Sequence, residues 1–277
     1  MEILVSVIMS VYQEPVDQVQ NSIESILSQT YKYWELIVVL DCPDNVSVKK
    51  YLTALSERRD DVFIIENQNN IGLGASLNKA VSKANGAFCA RMDAEDFSFL
   101  DRLEKQINFI RNKPDVDLFF TQWQELHTNG EVIQRKPKAQ DVRQIKRNFF
   151  IKSLLLHPTL VIRTEVLKNH PYPEMARPED WVLFLDLIKL GYKFDLLEEI
   201  LYSYVVDDMQ KYQKVRVYSA NLLPHLVKNF PHYSLNVYYW FYFIRIVGEF
   251  LLSRNEYVYW KTSKLASSYW KKIFRSV

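Results

Sequence analysis

Glycine is scarce in this chain. Six glycines and ten prolines in 277 residues leave no low-complexity tract and no fixed-period repeat, which excludes collagen-like, Pro/Gly-rich disordered, solenoid and propeller architectures. Cysteine is scarcer still. Cys42 and Cys89 are not spaced as metal ligands and are too few for a disulfide framework, so both read as buried small hydrophobes in a reducing compartment. Long apolar runs are missing as well. The longest uncharged aromatic-rich stretch, Tyr233 to Ile244, has 12 residues, short of the roughly 20 that a membrane-spanning helix needs. The N-terminus lacks the basic region and small-residue cleavage site of a signal peptide, and Ile3 to Met9 reads as a first strand instead.

What is present is an ordinary globular composition, 48% apolar and 25% charged. The length suits one large α/β domain with an appendage, or two small domains. Net charge is only +2, but residues 209–277 hold eleven Lys/Arg against Glu249 and Glu256, an excess of nine positive charges that leaves the remainder about −7. The same segment carries 17 of the 39 aromatic residues. A basic, aromatic appendage therefore follows an acidic body.

The first hundred residues alternate short β-branched runs with helical patterns. Strands are expected at Ile3 to Met9, Glu35 to Leu40, Val62 to Glu66 and Ala87 to Met92, with helices at Val16 to Ser28, Val46 to Arg58 and Leu73 to Ala84. Near-continuous apolar strands separated by amphipathic helices predict a doubly wound, mostly parallel sheet covered on both faces, with ligands at the carboxyl ends of its strands. A helix from Phe99 to Asn112 is expected behind a capping box begun by Ser98, then strands at Val116 to Thr121 and His157 to Ile162, and a helix from Glu179 to Leu190 stopped by Gly191. The sheet domain closes near Tyr204, giving a domain of residues 1–205 followed by a helical region of 206–277. Helices are expected there at Gln210 to Lys228, Ser234 to Ser253 and Glu256 to Phe274, with Pro231 between the first two.

Four segments converge on the predicted carboxyl edge. Arg91-Met92-Asp93-Ala94-Glu95-Asp96 places three carboxylates directly after a strand, where hard divalent cations such as Mg²⁺ or Mn²⁺ find oxygen ligands and a diphosphate completes the shell. By spacing alone, a solvated acidic turn capping the next helix fits equally well. Tyr12 and Glu14 follow strand one, Asp41 follows strand two, and Asn70-Ile71-Gly72-Leu73-Gly74 opens the third helix at an end that favours anions. That last segment matches neither a dinucleotide-binding GxGxxG nor a P-loop.

From about Val5 to Tyr204 the chain resembles a family 2 glycosyltransferase of the GT-A type. The segments that carry the likeness are VSVIMSVYQEP, SIESILSQTYKYWELIVVLD, NNIGLGASLNKAVSKANGAFCARMDAEDFS, HPTLVIR, PEDW and LGYKFDLLEEILYSYVV, in this order. The resemblance implies nucleotide-sugar contacts at Tyr12, Glu14, Asp41, Asn70, Arg91 and Asp93, and a Mn²⁺ or Mg²⁺ ion held by Glu95 with Asp93. Here the motif reads Asp-Ala-Glu-Asp where Asp-Ala-Asp-Asp is usual. The general base of inverting members corresponds to Asp180 of the Glu179-Asp180 pair, because an acceptor hydroxyl is a weak nucleophile that a placed carboxylate deprotonates. Acidic residues in a first helical turn are also favoured by the helix dipole, and both readings can hold together. His157 and Trp181 are weaker acceptor-side candidates, against a satisfied structural histidine and a core tryptophan.

The resemblance further implies a glycan or lipid-linked glycan acceptor in cell-surface polysaccharide synthesis, with uridine as the preferred base. A non-catalytic nucleotide- or glycan-binding module on the same fold is the rival reading, and Asp93, Glu95 and Asp180 argue against it. Missing spans and a missing QxxRW-like motif argue against a processive synthase. Nucleic acid is not an expected partner of so acidic a body. The expected location is cytoplasmic, with residues 209–277 peripheral on the inner face of the cell membrane or joined in a homodimer.

Overall fold

The computed structural model describes residues 2–137, 149, 155–175, 177–206 and 211–252. Contact density divides the chain into two compact units, one of residues 1–175 and 179–206, the other of 176–178 and 207–277.

The larger unit is built on a sheet of strands β1 (Val5–Val11), β2 (Trp34–Leu40), β3 (Val62–Glu66), β4 (Phe88–Asp93), β5 (Phe97–Ser98), β6 (Leu118–His127), β7 (Val132–Arg135), β8 (Val161–Arg163) and β9 (Phe194–Val206). Their order is β3-β2-β1-β4-β8-β6-β9-β5, with β7 on β6. The first four strands are mutually parallel, as the uninterrupted apolar runs require. Val5, Val7, Met9 and Val11 of β1 join one buried cluster with α1 (Val16–Leu27), α2 (Val46–Ser56) and α4 (Arg102–Asn112). The opposite face, with Ile8, Ile37 and Val39, meets α3 (Leu73–Lys83) through Leu77, Ala80 and Val81. Beyond β4 the pairing turns mixed: β8 runs antiparallel to β4 and β6, while β6 and β9 are parallel with register shifts at Thr121 to Trp123.

Several local expectations are corrected by non-local contacts. Ser98 forms no capping box. It pairs with Tyr202 in β5, and Gln29 takes over the capping work: its Oε1 accepts Leu103 N–H at 2.9 Å and its Nε2 donates to Phe99 O at 2.7 Å. His157 to Thr159 form a 3₁₀ turn, not the start of a strand, because Pro158 fixes φ and lacks a ladder donor. Strand β8 starts only at Val161. Helix α5 (Thr164–Asn169) follows, then α6 (Glu179–Leu190) over the expected span. Its end is a Schellman motif: Gly191 has φ 89°, Gly191 N donates to Ile188 O at 3.2 Å and Tyr192 N to Leu187 O at 3.1 Å.

The smaller unit contains α7 (Lys211–Tyr233) and α8 (Val237–Leu252). Pro231, expected between helices, lies instead inside the last turn of α7, about two turns after Pro224. The break falls instead at Ser234 to Asn236. The helix expected at Glu256 to Phe274 lies outside the described residues. Among the described residues, no helix is long and apolar enough to cross a membrane.

Candidate active site

Parallel register brings the polar segments to one edge. Ser10 stands opposite Asp93 and Val11 opposite Leu40, so the loops after β1, β2 and β4 begin at the same level. Tyr12 leaves its ring 40% exposed, enough for a flat base to stack on it. Its N–H donates to Glu14 Oε2 at 2.6 Å. Burial raises the Glu14 carboxyl above its ordinary value, the Tyr12 N–H opposes this, and the negative charge of Asp93 adds to the rise. Asn45, not foreseen as a site residue, ties this loop down: its Nδ2 donates to Tyr12 O at 3.3 Å and Glu14 O at 3.2 Å, while its Oδ1 caps α2 through Val48 N. Its position before an apolar helical run was a readable capping signal.

Asp41 is buried and its oxygens are engaged. Oδ1 accepts from Asn67 Nδ2 at 2.7 Å and Ile71 N at 2.9 Å, and Oδ2 accepts from Gly72 N at 2.9 Å. Asn70 is exposed and closes an Asx turn through Oδ1 to Gly72 N at 2.9 Å. Both residues thus set the loop that starts α3.

At the end of β4, the fully buried Arg91 pairs with Asp93, while its Nε and Nη1 have no protein partner. Asp93 is half-buried and holds its backbone through Ser22 Oγ, which donates to Asp93 O at 2.8 Å, and through Tyr202 Oη, which accepts Asp93 N–H at 3.1 Å. Asp96 is buried beside β9: Oδ1 accepts Val205 N–H at 2.7 Å, and the Tyr202 hydroxyl also bonds the carboxyl. Burial, then Asp93, pushes its carboxyl well above the usual carboxylate range. Beneath lies Arg102, also fully buried, donating to Arg91 O at 2.8 Å and Pro158 O at 3.1 Å and stacking 4.8 Å from the Tyr202 ring centre. Burial draws its guanidinium down to about 10.

These residues suit a divalent cation. The charge of Asp93 raises the proton affinity of both Glu14 and Asp96, and Glu95 adds to the effect on Asp96, so carboxylates are crowded at a point where a cation relieves repulsion. Among the described residues, no three acidic, His or Cys side chains surround one point.

Across the site, His157 is buried with Nε2 at 2.9 Å from Tyr172 Oη. Burial, reinforced by Arg91, pushes its imidazole well below its ordinary value, so it stays neutral. Tyr172 lies in the field of Arg91, Asp180 and Glu179, linking the β4 end to the first turn of α6. Glu179 is buried; Asp180 is half-buried, and its Oδ1 accepts Trp181 N–H at 2.7 Å. The Trp181 ring stacks on Phe149 at 4.7 Å. Thus Glu14, Arg91 and Asp93 come together, Glu179 and Asp180 approach through Tyr172, and Asp41 and Asn70 act on the α3 loop. Tyr172, Tyr202 and Arg102 carried no local sequence signal.

With this geometry described, residues 6–169 match the sequence model of glycosyl transferase family 2. The chain belongs to this family. An uncharacterized glycosyltransferase of Methanocaldococcus jannaschii is 35% identical over 90% of this chain and 89% of its own length. The O-antigen biosynthesis glycosyltransferase WbnJ of Escherichia coli is 31% identical over 78% of this chain and 84% of its own. Among solved structures, TarS of S. aureus in complex with UDP superposes with TM-score 0.62 and 19% identity, covering 92% of this chain and 82% of that one. The mannosyltransferase PcManGT of Pyrobaculum calidifontis, in complex with GDP-Man and Mn²⁺, does so with TM-score 0.64 and 14% identity over 98% and 82%. The glycosyltransferase thus has the GT-A fold.

The buried histidine makes stability depend on pH. Because folded His157 resists protonation, the unfolded chain takes up the proton first, so its contribution is complete above the ordinary value of 6.5 and declines as pH falls below it. His157→Gln, which can still bond Tyr172, is expected to flatten that decline by up to about 1.4 kcal/mol per pH unit. Urea unfolding midpoints of both proteins at several pH values check this. Equal slopes would remove His157 as the cause.

Proposed function

We propose that this glycosyltransferase transfers a sugar, with inversion, from a UDP-linked donor to a hydroxyl of a lipid-linked glycan in cell-surface polysaccharide synthesis. The observation that carries the reading is that Tyr172 lies in the field both of Arg91, which pairs with Asp93 at the end of β4, and of Glu179 and Asp180 in the first turn of α6. Relatives named for O-antigen synthesis and a fold neighbour bound to UDP support the pathway and the base. Residues 1–205 form the catalytic domain in this reading and 206–277 the helical region.

Tyr12 stacks on the base, and Asp41 and Asn70, which accept Gly72 N–H, hold the α3 loop beside the nucleotide. Asp93 and Glu95 hold Mn²⁺ or Mg²⁺, which when bound neutralises the charge gathering on the departing diphosphate. Arg91 holds Asp93 in place, and its Nε and Nη1 have no acceptor among the described residues. Asp180 removes the acceptor O–H proton. The freed oxygen electron pair forms the new bond to the anomeric carbon, the carbon–oxygen bond to the diphosphate breaks, and its electrons leave with the nucleoside diphosphate. Attack and departure on opposite faces invert the centre. Asp180 sits in the first turn of α6, a position where the helix dipole favours a carboxylate.

The helical region is proposed to rest on the cytoplasmic membrane face. Trp240, Ile244 and Leu251 recur along one side of α8 with exposures of 40%, 60% and 57%, and the basic excess of residues 209–277 complements anionic lipid. A homodimer through the same face is the competing arrangement.

Donor hydrolysis screened over UDP-, GDP- and dTDP-sugars with Mn²⁺ tests the donor class; hydrolysis confined to GDP- or dTDP-sugars rejects uridine. Turnover is expected to vanish in excess chelator and in Glu95→Ala, with Glu95→Asp retaining part of it; full activity in chelator would refute metal dependence. Asp180→Asn is expected to keep donor affinity while losing about 10²–10⁴-fold in transfer rate, checked by calorimetry with UDP and by initial rates. Near wild-type transfer would move the base to Glu179. Sedimentation with anionic vesicles at low and high salt is expected to show salt-sensitive binding of the whole chain. No binding, with a dimer in solution, favours the competing arrangement.

A further inference from the structure

Helix α3 faces two ways. Its first turn is tied to the loop that Asp41 organises, and its opposite flank is joined to the segment leading into α6. Asn78 makes a reciprocal pair of bonds with the backbone of Tyr172: Nδ2 donates to Tyr172 O at 2.8 Å, and Oδ1 accepts Tyr172 N–H at 2.9 Å. A side-chain amide here does what a neighbouring strand would do, satisfying both backbone groups of one residue at once. One helical turn earlier on the same flank stands Gly74, where an added Cβ would come within 2.8 Å of Pro173 O, 3.4 Å of Tyr172 Cβ and 3.5 Å of Glu179 Cβ. The glycine lets the acidic turn lie directly against the helix. Tyr172 then reaches inward to His157 at 2.9 Å, and the turn containing His157 is anchored to β4 by Arg91 N donating to Leu160 O at 2.9 Å.

We infer that Asn78 and Tyr172 are positioning residues of the transfer reaction, a clasp that fixes the Glu179–Asp180 turn relative to the donor-holding end of β4. The inference rests on the assignment of Asp180 as base made above. Neither Asn78 nor Tyr172 touches the reacting atoms in this scheme. The clasp has only two bonds, but both are half-buried and both go to the backbone of one residue, so losing them frees Tyr172 and Pro173 to shift while the sheet stays intact. A shift of about 1 Å between a bound sugar and its base is enough to cost on the order of 100-fold in rate.

Asn78→Ala in the full chain is the test, with UDP plus Mn²⁺ as the binding probe and the UDP-sugar chosen by the donor screen as substrate. Turnover is expected to fall about 10- to 100-fold while UDP affinity stays within about twofold. In an Asp180→Asn background the same change is expected to cost nothing further, because both act through one group. Hydrogen exchange at the Tyr172 amide, slow in the parent chain, is expected to become fast in Asn78→Ala, with β4 amides unchanged. Wild-type turnover in Asn78→Ala overturns the inference, as does a UDP affinity that falls in step with turnover, or a full extra loss in the double variant. If Asp180→Asn is slow and Asn78→Ala is not, the clasp is overturned and the base assignment stands. If Asp180→Asn turns over normally and Asn78→Ala is slow with an unprotected Tyr172 amide, the base lies at Glu179 and the clasp stands. Should Asn78→Ala fold poorly, Asn78→Asp keeps the acceptor for Tyr172 N–H and is expected to show the same pattern with a smaller loss.

Discussion

Two arginines buried side by side are the constraint around which this site is organised. A guanidinium removed from water must be paired or generously hydrogen-bonded, since its effective desolvation cost is several kcal/mol. Arg91 meets that demand through Asp93, and Arg102 through two backbone carbonyls, a thioether and the face of Tyr202. Because Arg102 donates to both Arg91 O and Pro158 O, it fastens the parallel half of the sheet to the turn that carries His157. The carboxylate at the end of β4 is thereby held by structure, whether or not a ligand is present.

Burial sets the charge state beside that positive pair. His157 stays neutral and Tyr172 resists ionisation chiefly through burial, so their mutual bond is a neutral one. On the other side Glu14, Asp93 and Asp96 crowd together, and the charge of Asp93 adds to the upward shift of the other two carboxyls. Helix α3 spans the two, with Asp41 at its start and Tyr172 on its flank.

Likeness to GT-A structures at 19% and 14% identity concerns backbone architecture alone. The side-chain contacts belong to this chain, and through Tyr172 they relate the end of β4 to the Glu179–Asp180 turn more than eighty residues further along.

By itself, the sequence determined the parallel half of the fold, because strands buried on both faces must be apolar throughout and the helices between them must carry one apolar stripe. Local chemistry also announced the stop of α6 at Gly191, the acidic run after β4 and the family motifs. Tertiary structure alone decided the rest. Ser98 lost its expected capping role to Gln29, more than seventy residues from the amide it caps. Strand β9 and the 3₁₀ turn at Pro158 took forms that depend on neighbours distant in sequence. Arg102, Tyr202, Asn78 and Tyr172 entered the site unannounced, since a contact between residues far apart in the chain leaves no period for a local pattern to reveal.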